Sequence, residues 1–449
     1  MKPVPDAATD PMRLAAIEVV RRIQTAGFEA FWVGGCVRDF LLGHVPSDYD
    51  VATAATPDQI EQIFPKTLPV GRRFGVVVVV QNGFSIQVAT FRAEAGYQDG
   101  RHPDKVTFSN ARADALRRDF TVNGLFHNPV TGETHDWVDG RKDLEAKTIR
   151  TIGDPEERFG EDHLRMLRAL RFAAQLGFQV EHRTINSIRS RAERIQSVSA
   201  ERIRDELLKL FHPRHAERGL RLLEASGLLR HVLPEFAPCL ASPQHPAFHP
   251  EGSVFEHVCL MLAHVPADAH PLLPWAVLLH DIGKPETFSR DPITGVIHNY
   301  GHEKTGAQIA EKLLSRLRFP RKEISLLVRA VKSHMQFKDA SRMRKSTLRR
   351  MLLRPTFDFE LALHQLDCLG SHHELDTYDF LLREAAELSK RPEVRPPLVN
   401  GDDLISLGFK PGPALGRVLN EIRERQLQDE LKTREDAIAF ARTNLVASA

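Results

Sequence analysis

Apolar residues are spaced in two different ways along this chain. In residues 1–150, short apolar runs alternate with helical patterns, whereas later segments follow the helical period almost throughout. The early pattern predicts helices at 12–27, 57–64 and 111–116 and strands at 31–33, 48–50, 70–80, 84–91 and 105–108. Asn82-Gly83 separates two of these strands, as in a tight hairpin. We therefore expect a mixed β-sheet with helices, an α+β architecture, in this part.

The helical part begins beyond Asp154-Pro155. Its apolar spacing predicts helices at 161–176, 201–211 and 214–226, and further helices up to about residue 385. Pro- and His-rich sequence at 234–250 and a proline cluster at 391–397 interrupt the pattern. We expect a multidomain chain with an α+β head (1–150), an all-α neck (151–233), a helical body (234–390) and a helical tail (391–449).

Charge is distributed unevenly along the 449 residues, although the net charge is only +2. From Arg316 to Arg350 there are twelve Lys or Arg residues against two acids, Glu323 and Asp339. A local excess of this size suits contact with a phosphate backbone. A solvated helical surface is the alternative interpretation.

Cysteine usage and hydropathy indicate the cellular compartment. The four cysteines are scattered and form no CxxC pair, so we expect reduced thiols. The N-terminal sequence MKPVPDAATD lacks the apolar core of a signal peptide, and no apolar run approaches the roughly 18 residues of a membrane span. We expect a soluble, cytoplasmic protein without a membrane partner.

The segment Phe31–Thr53, FWVGGCVRDFLLGHVPSDYDVAT, carries the strongest chemical signal. Gly34-Gly35 follows a strand-like run and lets backbone N–H groups approach a phosphate, and Arg38 adds a guanidinium group. Asp48 and Asp50 alternate with a tyrosine, so on a strand both carboxylates share a face. Two such carboxylates beside a phosphate-binding turn suit Mg²⁺-dependent phosphoryl or nucleotidyl transfer. An ordinary Asp-rich turn is the alternative.

A second motif, RRDFTVNGL, follows the predicted helix at 111–116. Arg117, Arg118 and Asp119 can bind a triphosphate and order a metal site, and Asn123 can hold a ribose or a backbone carbonyl. Strand alternation places Gln87 near the same end of the sheet as the aspartates. Charged pairs on a helix surface would explain the charges but not the whole string.

A third motif, EDHLRMLRALRF, places Asp162, Arg165, Arg168 and Arg171 at three-residue steps on one predicted helix. An Asp acceptor beside Arg donors can read base edges through hydrogen bonds. The alternative is a helix on which these arginines form ion pairs with Glu161 and Asp162.

These motifs, GGCVRD, SDYDVAT, RRDFTVNGL and EDHLRMLRALRF, resemble in order and spacing the class II tRNA nucleotidyltransferase and bacterial poly(A) polymerase family. The resemblance covers roughly residues 28–215. Val122 and Gly124 stand where the family often has Ile and Ala, which changes nothing catalytic. It implies a nucleotidyltransferase head, and a neck that selects the nucleotide and binds RNA.

The resemblance also implies roles for single residues. Asp162 and Arg165 would act as a protein template for incoming CTP and ATP, with Arg168 and Arg171 supporting phosphate or orienting that template. Mg²⁺ held by Asp48 and Asp50 would promote attack of the tRNA 3′-hydroxyl on the α-phosphate, with pyrophosphate leaving. Four residues would cradle the triphosphate: Gly34, Gly35, Arg38 and Arg118.

The tail bears on the product. Residues 398–416, LVNGDDLISLGFKPGPALG, resemble the C-terminal segment of bacterial CCA-adding enzymes and imply a tRNA contact. The Arg/Lys-rich extension usual in poly(A) polymerases is absent after Arg442. CCA addition is therefore favoured, with CC-only addition, A-only addition and poly(A) synthesis as alternatives. An RNA-binding protein or phosphohydrolase with an inactive head is a further alternative, which the intact aspartate pair disfavours.

Four residues of the body fit the order of an HD metal-dependent phosphohydrolase domain: His257, His280, Asp281 and Asp367. Imidazoles and carboxylates are suitable ligands for a transition-metal ion. His302 and His334 could extend the site to a second metal, and Lys284 could contact a phosphate. Such a domain would hydrolyse phosphomonoesters or 2′,3′-cyclic phosphates, or serve only as a scaffold for tRNA. The sequence leaves the oligomeric state open.

Overall fold

The computed structural model describes residues 10–68, 70–72, 75–97, 103–245, 252–391 and 396–446. Several predictions fall partly outside these residues: the N-terminal segment before residue 10, part of the strand at 70–80, and parts of the boundaries at 234–250 and 391–397. The chain divides into two compact units, one of Met1–Phe211 with Arg218–Pro234 and one of His212–Glu217 with Glu235–Ala449. The finer division into head, neck, body and tail stays a prediction.

A seven-stranded mixed sheet forms the centre of the first unit, with the strand order β3-β4-β5-β2-β1-β8-β9. Its strands are β1 (Ala30–Val33), β2 (Asp50–Thr53), β3 (Thr67–Leu68), β4 (Val76–Gln81), β5 (Phe84–Thr90), β8 (Phe126–His127) and β9 (Thr134–His135). β2 pairs with β5 in parallel and with β1 antiparallel. A separate hairpin joins β6 (Arg92–Tyr97) to β7 (Pro103–Phe108), and β10 (Thr148–Ile149) pairs with β11 (Gln179–Val180).

The predicted hairpin is confirmed, because β4 and β5 pair antiparallel up to Gln81 and Phe84. Asn82 and Gly83 between them have φ angles of 51° and 84°, the left-handed values that a two-residue turn of this kind requires. Ile86 and Val88 of β5 face the core while Ser85 and Gln87 are exposed. This alternation fixes which side chains of β5 can reach the surface of the sheet.

The helices up to residue 232 cover the sheet and then form a mainly helical region that contains the short strand β11. They are α1 (Pro11–Thr25), α2 (Gly35–Leu41), α3 (Pro57–Ile63), α4 (Ala111–Leu116), α5 (Gly140–Glu145), α6 (Pro155–Glu161), α7 (Arg165–Leu176), α8 (His182–Arg191), α9 (Ala200–Leu210), α10 (Ala216–Ala225) and α11 (Leu229–Val232). α7 packs against α9, and each helix carries buried leucines, such as Leu170 and Leu207. The prediction of a helical region after the sheet is confirmed.

The prediction of one helix over 161–176 is wrong at its start. α6 ends at Glu161, and Asp162 has extended backbone angles before α7 begins at Arg165. The Asp162 carboxylate accepts a hydrogen bond from the Leu164 N–H at 3.1 Å. A local side-chain bond of this kind competes with the helix for the backbone donor, so the helix breaks at the aspartate.

The second unit is helical, with one short hairpin of β12 (Ser289–Arg290) and β13 (Ile297–His298). Its helices are α12 (Val254–Ala263), α13 (Leu273–Leu279), α14 (Lys284–Thr287), α15 (His302–Arg316), α16 (Arg321–Ser333), α17 (Lys345–Leu352), α18 (Phe357–Gly370), α19 (Asp376–Ser389), α20 (Gly401–Ser406), α21 (Pro413–Leu427) and α22 (Arg434–Val446). α13 is buried along its whole length and forms the core of this unit with α12, α16 and α18. Among the described residues, no helix has the length and apolar character needed to cross a membrane.

Candidate active site and metal centre

The glycine turn lies at the end of β1, where Gly34 begins the turn into α2 with a φ of 76°. A side chain at this position would be strained by the backbone angle, and its Cβ would lie 3.2 Å from Nη1 of Arg118. The backbone angle of the turn therefore favours glycine at position 34, and the guanidinium group of Arg118 lies close against it. The close approach brings a guanidinium group from the second motif next to the backbone of the first.

The two aspartates lie beside this turn, at the start of β2. Asp50 pairs in register with Val33 of β1, whereas Asp48 precedes the strand and is exposed. The prediction that both lie on one strand is wrong for Asp48, because the strand begins at Asp50. Tyr49 between them is buried and packs 4.7 Å from the ring of Trp32, which fixes the backbone that carries both carboxylates.

The pKa of Asp50 shows that the two carboxylates act on one another. Burial and the charge of Asp48 raise the pKa of Asp50 to about 6, while Arg118 opposes the shift. Gln87 lies next to Asp50 in the parallel register of β5 and β2, as its predicted position required. The arrangement gives oxygen ligands with a mutual repulsion that a hard divalent cation would relieve.

The two arginines of RRDFTVNGL are held by an aspartate that the sequence reasoning missed. Asp114 on α4 accepts hydrogen bonds from Arg117 at 2.6 Å and from Arg118 at 3.0 Å. Burial opposes ionisation of Asp114, but Arg118 and Arg117 hold its pKa below the ordinary value. Arg158 of α6 donates to the carbonyl oxygens of Arg117 and Arg118 at 2.5 and 2.7 Å. These bonds fix the loop that presents Arg118.

A chain of polar contacts runs from the glycine turn to α7. Arg38 donates to Asn123 at 2.8 Å, and Asn123 donates to Asp119 at 3.4 Å. Asp119 accepts two bonds from Arg168, at 2.9 and 2.5 Å. Burial raises the pKa of Asp119, but Arg168 outweighs it and lowers this pKa to about 2. Asp119 thus holds Arg168 through a doubly hydrogen-bonded ion pair.

Glu206 of α9 extends this chain and was also missed. It is buried and accepts a bond from Arg171 at 2.7 Å, and it lies 3.5 Å from Arg168. The ring of Phe172 lies beneath Arg171, with the guanidinium carbon 3.8 Å from the ring centroid. A pairing across two predicted helices could not be read from the spacing on either one.

The third motif is brought together only in part. Asp162 accepts a bond from Arg202 at 2.8 Å, and Arg165 donates to Glu161 and, at 3.0 Å, to the Arg158 carbonyl oxygen. Asp162 and Arg165 lie at the junction of α6 and α7, which differs from the single helical stripe predicted. The alternative interpretation paired Arg165, Arg168 and Arg171 with Glu161 and Asp162. Of these ion pairs the structure shows only that of Arg165 with Glu161, because Arg168 pairs with Asp119 and Arg171 with Glu206.

The second unit contains a cluster of six histidine and aspartate side chains that could hold a metal ion. Within each of two groups of three, one ligand atom per residue lies within 4.8 Å of the others. The groups are His257, His280 and Asp367, and Asp281, His302 and His334. The four predicted ligands fall in both groups, and His302 and His334 complete the second.

Close helix packing places these ligands. Gly283 follows the His280-Asp281 pair, and a Cβ on it would lie 2.3 Å from the carbonyl oxygen of His302. A Cβ on Gly370 of α18 would lie 2.5 Å from the Met261 side chain of α12. These two contacts bring α15 against α14 and α18 against α12. Side chains more than 100 positions apart in the sequence can therefore reach the same metal ion. For example, Nε2 of His257 lies 3.2 Å from Oδ1 of Asp367.

The proton positions prepare the four histidines as ligands. Each Nδ1 faces a backbone carbonyl, at 3.3 Å for His257, 2.8 Å for His280, 2.8 Å for His302 and 2.7 Å for His334. Because a carbonyl oxygen only accepts, each Nδ1 is the donor in these contacts, and a ring in its neutral form then offers its Nε2 lone pair to a metal ion. Burial lowers the pKa of His334 to about 3, which keeps that ring neutral.

The Nε2 atoms lie close to one another and to the carboxylates of the cluster. Those of His302 and His334 lie 3.1 Å apart, and the Nε2 of His280 lies 3.2 Å from an oxygen of Asp281. Two lone pairs at this distance repel unless a cation or a proton lies between them. Asp281 lies 2.5 Å from the Lys284 ammonium group, which in turn donates to Gln244. The donor set of imidazoles and carboxylates fits a divalent transition metal.

The glycine turn, the aspartate pair and the arginines of the first unit define a metal-dependent nucleotidyltransferase. Three family models match the chain: "Poly A polymerase head domain" at 30–150, "Probable RNA and SrmB- binding site of polymerase A" at 177–240 and "HD domain" at 254–358. The chain belongs to the family of bacterial CCA-adding enzymes, and the resemblance in the sequence motifs is confirmed.

This assignment rests on similarity over nearly the whole chain. The CCA-adding enzyme of Latilactobacillus sakei subsp. sakei strain 23K is 34% identical over 436 residues, which covers 95% of this chain and 96% of that protein. The CCA-adding enzyme of Limosilactobacillus reuteri strain DSM 20016 is 32% identical over 414 residues, 90% of each. The crystal structure of the Bacillus stearothermophilus CCA-adding enzyme in complex with CTP superposes with a TM-score of 0.72 at 26% identity, covering 98% of this chain and 99% of that one.

Proposed function

We propose that this enzyme adds the 3′-terminal CCA sequence to tRNA in the cytoplasm, using CTP and ATP and no nucleic-acid template. The observation that carries this proposal is the aspartate pair beside Gly34, with Arg118 against the same turn. The likeness to named CCA-adding enzymes along the whole chain supports the substrates. In the reaction, the tRNA 3′-oxygen bonds to the α-phosphorus, and the bond from that phosphorus to pyrophosphate breaks.

In this mechanism the chain binds and orients the reactants. Asp48 and Asp50 would hold Mg²⁺, which neutralises charge on the triphosphate and favours attack by the hydroxyl group when it is bound. Gly34 and Gly35 leave room for phosphate next to the backbone, and Arg118 supplies positive charge there. Arg117 and Asp114 hold Arg118 in place, so the arginine is preorganised for the developing charge.

Nucleotide selection is assigned to Asp162 and Arg165. Cytosine and adenine share an amino donor next to a ring-nitrogen acceptor, whereas uracil and guanine present a carbonyl acceptor next to an N–H donor. A carboxylate acceptor beside a guanidinium donor therefore fits the first two bases and opposes the other two. Arg202 orients Asp162 through a hydrogen bond. The series of hydrogen bonds from Arg38 through Asp119 to Arg168 supports α7, the helix that follows Asp162.

The addition of the two cytidines and the addition of the terminal adenosine can be tested in one assay. Three RNAs would be supplied separately with labelled CTP or ATP: a tRNA ending before CCA, a tRNA ending in CC, and an RNA unrelated to tRNA. We expect two cytidines and one adenosine on the first, one adenosine on the second, and no extension of the third. Addition of cytidine alone or adenosine alone would replace the proposal by a partial activity, and a homopolymer on the third would replace it by poly(A) synthesis.

We also propose the four-part organisation, with a catalytic head (1–150), a nucleotide-selecting and RNA-binding neck (151–233), an HD body (234–390) and a tail (391–449) that contacts tRNA. The family-model matches at 30–150, 177–240 and 254–358 support the first three parts. The tail has its own buried cluster, which includes Leu404, Phe409, Ile422 and Ala437.

A second activity is favoured by the convergent Nε2 atoms in the HD body. We propose that the two groups of ligands hold divalent transition-metal ions and that the site hydrolyses phosphomonoesters or 2′,3′-cyclic phosphates at RNA 3′ ends. A metal ion there would activate water for attack on phosphorus. Lys284 holds Asp281 in position, since its ammonium group is buried against that carboxylate.

Removing the HD ligands is expected to abolish hydrolysis and spare CTP and ATP addition. His280→Ala with Asp281→Ala removes two ligands, but it also leaves the buried Lys284 without its carboxylate, which costs about 3–5 kcal/mol. His334→Ala is the milder variant, because no buried charge loses its partner. The measurements are bound metal by elemental analysis, hydrolysis of a 2′,3′-cyclic nucleotide with Ni²⁺, Co²⁺ or Mn²⁺, and nucleotide incorporation.

His264→Ala serves as the control, because this exposed histidine follows α12 outside the cluster. It should leave metal content and both activities unchanged. Absence of bound metal and of hydrolysis in the parent protein with all three ions would reduce the HD body to a scaffold. Loss of nucleotide addition in a folded His334→Ala variant would show that the two sites are not chemically separate.

A further inference from the structure

A groove of about 640 Å³ lies along α16 of the second unit, and its lining residues do not include the six clustered His and Asp side chains. α15 contributes Glu311 and Ser315 to one wall, and α16 contributes most of the rest. Arg321, Arg329 and Lys332 of α16 line it and are exposed. At spacings of eight and three residues, these three cations lie on one face of the helix.

Among the residues that the structure describes, these three cations have no carboxylate partner. Within the described ranges, no acidic oxygen lies within 4 Å of their charged nitrogens, and Glu311 is the acid in the lining. Other members of the basic segment do have partners: Arg316 pairs with Glu235 at 2.7 Å, and Arg350 pairs with Glu424 at 2.6 Å. The groove therefore presents three cations of the basic segment that other parts of the described chain do not neutralise.

The shape of the charge distribution favours a polyanion over a small anion. A small anion needs donors that converge on one point, whereas Arg321 and Lys332 are separated by about 16 Å along the helix axis. The lining contains no aromatic ring on which a base could stack. Contact with a row of phosphates, without reading the bases, is what such a surface provides.

We infer that this groove binds the phosphate backbone of the tRNA substrate. The inference rests on the proposed function for the identity of the polyanion. It adds a binding surface on α16, separate from the residues that bind nucleotide in the first unit. Because each contact displaces counterions from the RNA, the groove makes binding more sensitive to salt.

The test is the double variant Arg329→Ala with Lys332→Ala, measured for tRNA affinity at several salt concentrations. We expect an affinity loss of about tenfold at physiological salt, and a decrease of about 1.5 to 2 in the steepness of log affinity against log salt. Incorporation at saturating tRNA should stay at the parental rate. The matched control is Lys312→Ala with Arg383→Ala, which removes one lysine and one arginine that are exposed but do not line the groove.

Parental affinity and salt dependence in the groove variant would overturn the inference, as would equal losses in the control. Unchanged tRNA binding combined with lost binding to phosphatidylserine vesicles would reassign the groove to a membrane surface and also overturn it. Thermal melting of both variants checks that the fold is intact. If the parent protein itself fails to extend tRNA, the proposed function fails, and this result is distinct from failure of the groove.

Discussion

Replacing Asp48 or Asp50 with alanine should lower nucleotide incorporation by about a thousandfold or more while leaving tRNA affinity within a few-fold. The two carboxylates are the proposed ligands of the catalytic metal, and charge stabilisation of this kind contributes several kcal/mol to the transition state. RNA affinity depends instead on distributed basic contacts. Incorporation of labelled CMP into tRNA lacking CCA and a direct binding measurement separate the two effects.

Asp58→Ala provides the control for these variants. Asp58 is an exposed carboxylate on α3 of the same unit, and its ion-pair partner Arg72 is exposed as well. Its loss removes one negative charge without touching the glycine turn, so incorporation should be unchanged. Substantial incorporation by Asp48→Ala or Asp50→Ala at saturating Mg²⁺ would place the metal site elsewhere.

Local rules account for what the sequence could predict about the first unit. The hairpin at Asn82-Gly83 depends on two backbone angles that the residue types favour, and the glycine turn at Gly34 depends on one. The break at Asp162 is also local, but helix periodicity continues through it. The pattern therefore favoured one helix, although an aspartate whose carboxylate accepts from the backbone N–H two residues later can end a helix.

The partners of the arginines could not be predicted in the same way. Arg118 binds Asp114 four residues earlier, a spacing that the helix at 111–116 could have suggested. Arg168 and Arg171 instead reach Asp119 and Glu206, which are 49 and 35 residues away. Such pairs depend on how α7 packs against its neighbours, and the sequence pattern does not reveal this tertiary packing.

The candidate metal ligands of the second unit also divide into features that the sequence predicts and features that depend on tertiary packing. The order of His257, His280-Asp281 and Asp367 indicated an HD site, because the types of ligand follow from the motif. Their grouping with His302 and His334 depends on the close contact at Gly283, which no spacing along the chain reveals. The orientation of each imidazole likewise depends on a carbonyl oxygen that only the folded backbone positions.

The contact between Asp162 and Arg202 leaves two roles for this aspartate that a pair of variants can separate. Because Arg202 positions the carboxylate, Arg202→Ala should weaken selection among the nucleotides in the same direction as loss of Asp162, but to a smaller extent. If Asp162 itself accepts from the base, its loss should alter the choice more than the rate. The two variants therefore act as controls for one another.

Asp162→Ala is accordingly expected to relax selection among CTP, ATP, UTP and GTP by about 10- to 100-fold, since a paired contact to a base edge contributes about 1–3 kcal/mol of discrimination. Triphosphate binding should change only a few-fold, because the phosphates are held by other residues. The measurement is kcat/KM for each of the four nucleotides with the same tRNA. Full selectivity for CTP and ATP in this variant would show that Asp162 does not read the base and is only the ion-pair partner of Arg202.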